Sequence, residues 1–279
     1  MPLSSQAGSA IAADVASPLA ERFAALRELF DPGSIRRLGA LGVGRGWHCL
    51  EVGGGGGSIA AWLSERVGPR GRVVVTDIRT QSLEQLRYAN LEVLQHNVVT
   101  DPLPEGEFDL VHARLLLGHL PEREVILKRM VAALKPGAWL LDEEFDGLSL
   151  HVAAGRAPAT HVLRAAVAME RAMARQGVDL EFGQSLLGRL RDLGLSDAGA
   201  DAGLSMWTAG SAGACVLRSY LNQFREPMIK GGHITADEFE HDWKRLDEPD
   251  FFTMSPTLWG GTSSSEVTSS CHPHNHCHS

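Results

Sequence analysis

With 279 residues, 44% of them apolar and 22% charged, the chain can bury one large domain, or a core domain with an appended cap, and is too apolar to stay unfolded. Its net charge of −8 argues against a nucleic-acid backbone as the main partner, and no apolar run approaches membrane-spanning length. Four cysteines, two of them at the extreme C-terminus, do not suggest a disulfide scaffold, so the composition reads as a soluble cytoplasmic protein.

Residues 1–16, rich in Ala and Ser without a basic opening, read as a disordered leader rather than a signal peptide. Ser17-Pro18 is a helix start, and Leu19, Phe23, Leu26 and Phe30 then recur at helical spacing. Asp31-Pro32-Gly33 predicts the stop. Trp47 to Val52 reads as a short buried strand, and five glycines, Gly53 to Gly57, separate it from a helix over Ser58–Val67. Glycines at that junction permit a tight strand-to-helix turn and let a ligand touch bare backbone, so a nucleotide-like cofactor is expected across the loop.

Strand and helix patterns then alternate to Phe145. Arg72–Asp77, Leu91–His96, Glu107–Arg114 and Ala138–Glu144 read as strands, Gln81–Tyr88 and Glu122–Leu134 as helices, and Lys135-Pro136-Gly137 as a helix stop. This is the pattern of an α/β, doubly wound, mostly parallel sheet, with ligands at the carboxyl ends of its strands. Beyond residue 150 the sequence predicts helices over Thr160–Gln176, Gln184–Leu193 and Ala212–Leu246, the last broken at Gly231-Gly232. Leu195–Thr208 and Phe251–Trp259 are the expected sixth and seventh strands.

Glu51 stands two residues before Gly53, giving Glu-x-Gly-x-Gly-x-Gly, and Asp77, Asn97, the 107–114 strand and the 138–144 strand follow in order. In these motifs the chain resembles the class I S-adenosylmethionine-dependent methyltransferases, nearest to bacterial small-molecule enzymes of the ubiquinone-biosynthesis-like kind, some of which serve secondary metabolism. The NAD fingerprint G-x-G-x-x-G fits only in part, because Ser58 takes the third glycine's place.

The resemblance covers residues 17 to about 260 and implies a seven-stranded Rossmann-like sheet with a helical lid. It divides the chain into 17–45 (N-terminal helices of the cap), 46–150 (cofactor-binding core), 151–262 (lid insertions and the last two strands) and 263–279 (a flexible tail). It implies S-adenosyl-L-methionine as the cofactor. Gly53, Gly55 and Gly57 would admit the methionine end, which Glu51 orders through the amino group. Asp77, with Ile78 beside it, would take the ribose hydroxyls. Asn97 would hold the adenine amino group, the Val98 N–H the adenine ring, and Arg114 would lie near the methionine moiety. Each has a plainer alternative: Glu51 a strand-end acid capping the next helix, Asn97 a turn residue, Arg114 a partner for a neighbouring acid.

Methyl transfer is a displacement at a carbon already activated by a sulfonium, so the protein gains mainly by alignment and by excluding water. A general base is optional; His119, Glu143 and His151 are the candidates, with Tyr220 and His233 behind them, and each has a plainer structural alternative, His119 as a helix-end cap and Glu143 as a satisfied strand-end acid. The apolar positions of the expected lid, Phe23, Leu26, Leu163, Met169, Met173, Phe224 and Met228, suit a moderately hydrophobic small-molecule acceptor and equally suit ordinary helix packing. A homodimer is left open.

The tail from Cys271 to His278 carries six Cys and His residues after a serine-rich, linker-like stretch, Thr262–Ser270. It lacks the spacing of a folded zinc module, so no metal site is expected beyond adventitious binding. Alternatives to the methyltransferase reading are an NAD(P)-dependent oxidoreductase, for which no Tyr-x-x-x-Lys pair is apparent, and a non-catalytic cofactor-binding or metal-binding protein.

Overall fold

Four strands buried along most of their length form the centre of the sheet: β1 (His48–Val52), β2 (Arg72–Asp77), β4 (Phe108–Arg114) and β5 (Leu134–Glu144). The computed structural model describes residues 18–145, 163–256 and 259–264. The expected leader, His151 and the Cys/His-rich tail lie outside the described residues. With β3 (Leu91–Gln95), β6 (Ser196–Asp201) and β9 (Trp259–Ser264), the sheet has the order β3-β2-β1-β4-β5-β9-β6. β1 to β5 are parallel, while β9 runs antiparallel to both β5 and β6. The chain winds from β1 outward to β3, then crosses to β4 on the other side of β1. That reversal opens a crevice at the carboxyl ends of β1 and β4.

Helices cover both faces. Leu38 of α1 (Pro18–Ala40) and Ile59, Leu63 and Val67 of α2 (Ser58–Val67) pack with Cys49, Val73, Leu110 and Leu141. On the opposite face, Ile126, Leu127 and Met130 of α3 (Arg123–Ala132) and Phe182, Leu186 and Leu190 of α5 (Phe182–Asp192) pack with Leu50, Val52, Val111 and Leu140. A separate helical core joins α4 (Arg164–Arg175), α6 (Ala212–Lys230) and α7 (Ala236–Arg245) to Ala25 of α1. Thr235 and Glu238 close a capping box that starts α7.

Several expectations change. α1 does not stop at Asp31-Pro32-Gly33 but runs through Pro32 to Ala40. Phe30, Asp31, Ser34, Arg37 and Leu38 are all buried on its inner side, so tertiary contacts outweigh the backbone hydrogen bond that proline forfeits. Segment 81–88 forms turns rather than a helix. Only Leu83 is buried in it, too little apolar surface to offset the cost of helix nucleation. Lys135-Pro136-Gly137 lies within β5, beside a register shift between Phe108 and Leu110.

The expected sixth strand breaks after Asp201. β6 joins the sheet, whereas β7 (Leu204–Thr208) pairs with β8 (Phe252–Pro256) in a separate two-stranded sheet. Trp207 and Phe251 belong to the helical core, and Trp207 fills the space over Gly213, where an added Cβ would lie 2.0 Å from the indole. The strand ending the sheet is β9 rather than Phe251–Trp259, so Thr262 to Ser264 are paired strand, not linker.

Pro32→Ala restores a helical N–H in the interior of α1. It is expected to raise the unfolding free energy by about 1–2 kcal/mol, read by thermal or urea denaturation. A loss of stability would contradict a continuous α1.

Candidate cofactor and acceptor site

The loop after β1 takes a conformation that only glycine enters freely. Gly53, Gly55 and Gly57 have φ of 75°, 52° and 77°. Space is short as well: an added Cβ would meet Leu116 at 3.2 Å from Gly53, Phe23 at 3.3 Å from Gly55 and Leu86 at 2.8 Å from Gly57. The Gly53 and Gly54 N–H groups donate to the Thr76 carbonyl, binding the loop to the end of β2. The Gly55 N–H donates to Asp77 Oδ2 at 2.9 Å, and the Arg79 N–H donates to Oδ1 at 2.9 Å. Asp77 is therefore oriented by backbone at the edge of the loop, with an unused lone pair on each oxygen. Ile78 beside it is 57% exposed, an apolar face next to that carboxylate.

Asn97 forms a turn. Its Oδ1 accepts from the Val99 N–H at 3.1 Å, and its own N–H donates to Asp101 Oδ2 at 2.9 Å, a bond that holds the Asp101 carboxyl below its usual range. Val98 is buried, with its carbonyl accepting from Arg129 Nη1.

Beneath the loop lies a chain of buried charge. Glu51 is 5% exposed, and its Oε2 has no hydrogen-bond partner among the described residues. Burial pushes its carboxyl up to about 7, against the pull of His112 and Arg114. His112 Nδ1 lies 4.0 Å from Glu51 Oε1, and its Nε2 is 3.1 Å from Glu143 Oε2. Arg37 Nη1 donates to Glu143 Oε1 at 2.7 Å, and Arg37 Nε to Asp201 Oδ1 at 2.5 Å. Burial pushes the Glu143 carboxyl up, but the His112 hydrogen bond and the charges around it outweigh burial and leave it lowered. Both Glu143 oxygens are thus engaged, Oε1 with α1 and Oε2 with β4.

Arg114 follows its plainer alternative too, donating to Asp31 Oδ1 and Ser34 Oγ of α1, each at 2.9 Å. Ser58 Oγ donates to the same Asp31 oxygen at 3.1 Å. His112 was not among the candidates. Its one signal in the sequence is an ionisable residue in an otherwise apolar strand run, Leu110-Val111-His112-Ala113.

On the other side of the crevice, Glu144 Oε1 accepts from the Leu116 and Leu117 N–H groups at 2.9 and 2.6 Å, and burial pushes this carboxyl up to about 7. These bonds shape the turn after β4, in which Leu115 takes a φ of 54°. The turn carries His119 to a half-buried position with its ring parallel to Tyr220, centroids 6.4 Å apart. Phe145 stands edge-on to Phe30 at 5.7 Å and to Tyr220 at 6.5 Å. Burial, then the charges of Arg22 and Arg123, push the His119 imidazole down to about 4, so it is neutral near pH 7. His233 lies in the turn between α6 and α7, its N–H donating to the Met228 carbonyl. No group of His, Cys, Asp and Glu among the described residues could hold a metal ion, and none of their helices is long and apolar enough to cross a membrane.

The raised Glu51 carboxyl sets a pH dependence. Between its ordinary value of 4.5 and the folded value of about 7 the native state holds a proton that the unfolded chain has lost, so stability falls as pH rises through that window. Glu51→Gln removes this term. Its unfolding free energy relative to wild type is expected to climb by about 2–4 kcal/mol from pH 4.5 to pH 8, in urea titrations. A constant difference would show that Glu51 ionises normally.

Residues 50–141 match the family model described as a methyltransferase domain. The chain is 31% identical over 155 residues to methyltransferase str3 of Strobilurus tenacellus, covering 55% of this chain and 54% of that protein. It is 29% identical over 151 residues to the ubiquinone/menaquinone biosynthesis C-methyltransferase UbiE of Pseudoalteromonas translucida, covering 50% and 60%. The chain thus spans little more than half the length of these relatives. Among solved structures, a Bacillus halodurans protein superposes with a TM-score of 0.57 at 14% identity, covering 84% of this chain and 100% of that one. Phosphoethanolamine N-methyltransferase 2 of Haemonchus contortus superposes with a TM-score of 0.56 at 15% identity, covering 90% and 58%. The structural likenesses carry the fold alone. The matched domain and relatives, with the ordered motifs of the crevice, support a class I S-adenosylmethionine-dependent methyltransferase.

Proposed function

We propose that this protein transfers a methyl group from S-adenosylmethionine to a moderately hydrophobic small molecule. The observation that carries the reading is the pairing of a buried Glu51 oxygen without a hydrogen-bond partner and a loop whose three left-handed glycines leave backbone bare above it. An unsatisfied buried oxygen is costly, and an ammonium is the group that relieves it. The fit extends along the crevice. Asp77 keeps a lone pair on each oxygen for a pair of vicinal hydroxyls, and Ile78 offers an apolar face beside them. Gly53, Gly55 and Gly57 admit the chain between, with the Val98 N–H and the Asn97 turn at the far end and Arg114 bracing α1.

Bound there, the cofactor supplies a methyl group on a cationic sulfur. The protein's own residues orient and shield: α1 with α4, α6 and α7 forms the lid, and the turn 115–119 lies between lid and glycine loop. His119, neutral and facing Tyr220, is the candidate group to hold a proton from an acceptor that carries one, although burial makes it a weak base near pH 7. Glu143, held by His112 and Arg37, positions α1 instead. The relatives named for quinone and Strobilurus methyl transfer support a small-molecule acceptor, and a cytoplasmic enzyme suits the composition.

Calorimetric titration with S-adenosylmethionine, S-adenosylhomocysteine and NAD tests this. Saturable binding of the two adenosyl compounds and none of NAD is expected, while binding of NAD alone would favour an oxidoreductase. Asp77→Ala should weaken S-adenosylhomocysteine binding by about 1–3 kcal/mol. Gly55→Val should abolish it with far-UV circular dichroism unchanged, and normal binding by that variant would remove the loop from the site.

A further inference from the structure

Neighbouring residues of α1 face two parts of the site: Phe23 lies against Gly55 and Gly56, and Arg22 places its guanidinium 4.3 Å over the Tyr220 ring. Arg22 Nη1 donates to Gln223 Oε1 at 2.8 Å, and among the described residues it forms no ion pair. Arg123, the second guanidinium acting on His119, is occupied by the carbonyls of Leu117, Gly118 and Gly177 and lies 3.8 Å from Asp179. Glu144, at the end of β5, is turned to the Leu116 and Leu117 N–H groups. Beneath the Arg22 guanidinium, Tyr220 lies parallel to His119 and edge-on to Phe145, which in turn stands edge-on to Phe30.

A half-buried guanidinium keeps donors in a planar fork that matches an oxyanion, and aromatic walls favour a flat partner. We infer that the acceptor is a planar aromatic molecule bearing an anionic oxygen, bound with that oxygen on Arg22 and its ring against Tyr220 and His119. The inference rests on the methyl-transfer reading, since it fills the acceptor side of that site. The plainer role for Arg22 is to fasten α1 to α6 through Tyr220 and Gln223, which would give no preference for charge.

The test uses the full chain saturated with S-adenosylhomocysteine and two matched probe pairs at pH 8, 4-nitrophenol against 4-nitroanisole and 2-hydroxy-1,4-naphthoquinone against 1,4-naphthoquinone. The anionic member of at least one pair should bind about tenfold or more tightly than its neutral match. R22Q should erase that preference while leaving melting temperature and S-adenosylhomocysteine affinity unchanged, and R22K should retain part of it. Equal binding of anion and neutral match, an unchanged preference in R22Q, or no binding of either anion overturns the inference. Failure of S-adenosylhomocysteine to bind wild type overturns the underlying function as well, so the two failures are distinguishable.

Discussion

Adjacent strands β1, β4 and β5 carry buried ionisable side chains near their carboxyl ends, and the architecture of the crevice depends on how those charges are neutralised. Glu51, His112 and Glu143 form a line across the sheet, closed at its far end by Arg37 of α1. Removing one partner from a buried pair leaves an uncompensated charge, at a cost of about 3–5 kcal/mol, enough to match the roughly 3 kcal/mol that proline costs a helix interior. That balance of magnitudes explains why α1 tolerates Pro32. Arg37 and Asp31, on either side of the proline, are both committed to partners on other elements.

Strapping α1 to the sheet has a functional corollary. The N-terminal half of the same helix places Phe23 on the glycine loop and Arg22 on Tyr220. One element therefore spans the glycine loop, the Tyr220 ring and the ionic line. The line ends in a carboxyl that burial alone would keep protonated near neutrality, poised to ionise when a cation arrives.

The parts legible in the sequence were those fixed by local chemistry. Gly53 to Gly57 announced a bare turn because no other residue enters those dihedrals cheaply, and Arg72–Asp77 and Ser58–Val67 emerged with the bounds read from their patterns. What escaped was decided by residues far apart in the chain. The continuation of α1 rests on Arg37 meeting Glu143, 106 positions away. The division of 195–208 into β6 and β7 follows from Trp207 packing on Gly213 in the helical core. His112 gave no sign of joining two carboxylates because its partners lie on the strands to either side. Arg22 carries no local signal, because its partners lie on α6, Gln223 being 201 positions away.

The central claim, that Glu51 is the buried carboxyl that meets the cofactor's ammonium, is tested most directly by proton counting. Calorimetric titration with S-adenosylhomocysteine at pH 6, in two buffers of different ionisation enthalpy, should show release of about one proton per molecule bound as Glu51 ionises, and almost none for Glu51→Gln. Intact binding without proton release in the wild type, or equal release by both proteins, would place the ammonium elsewhere and contradict the account.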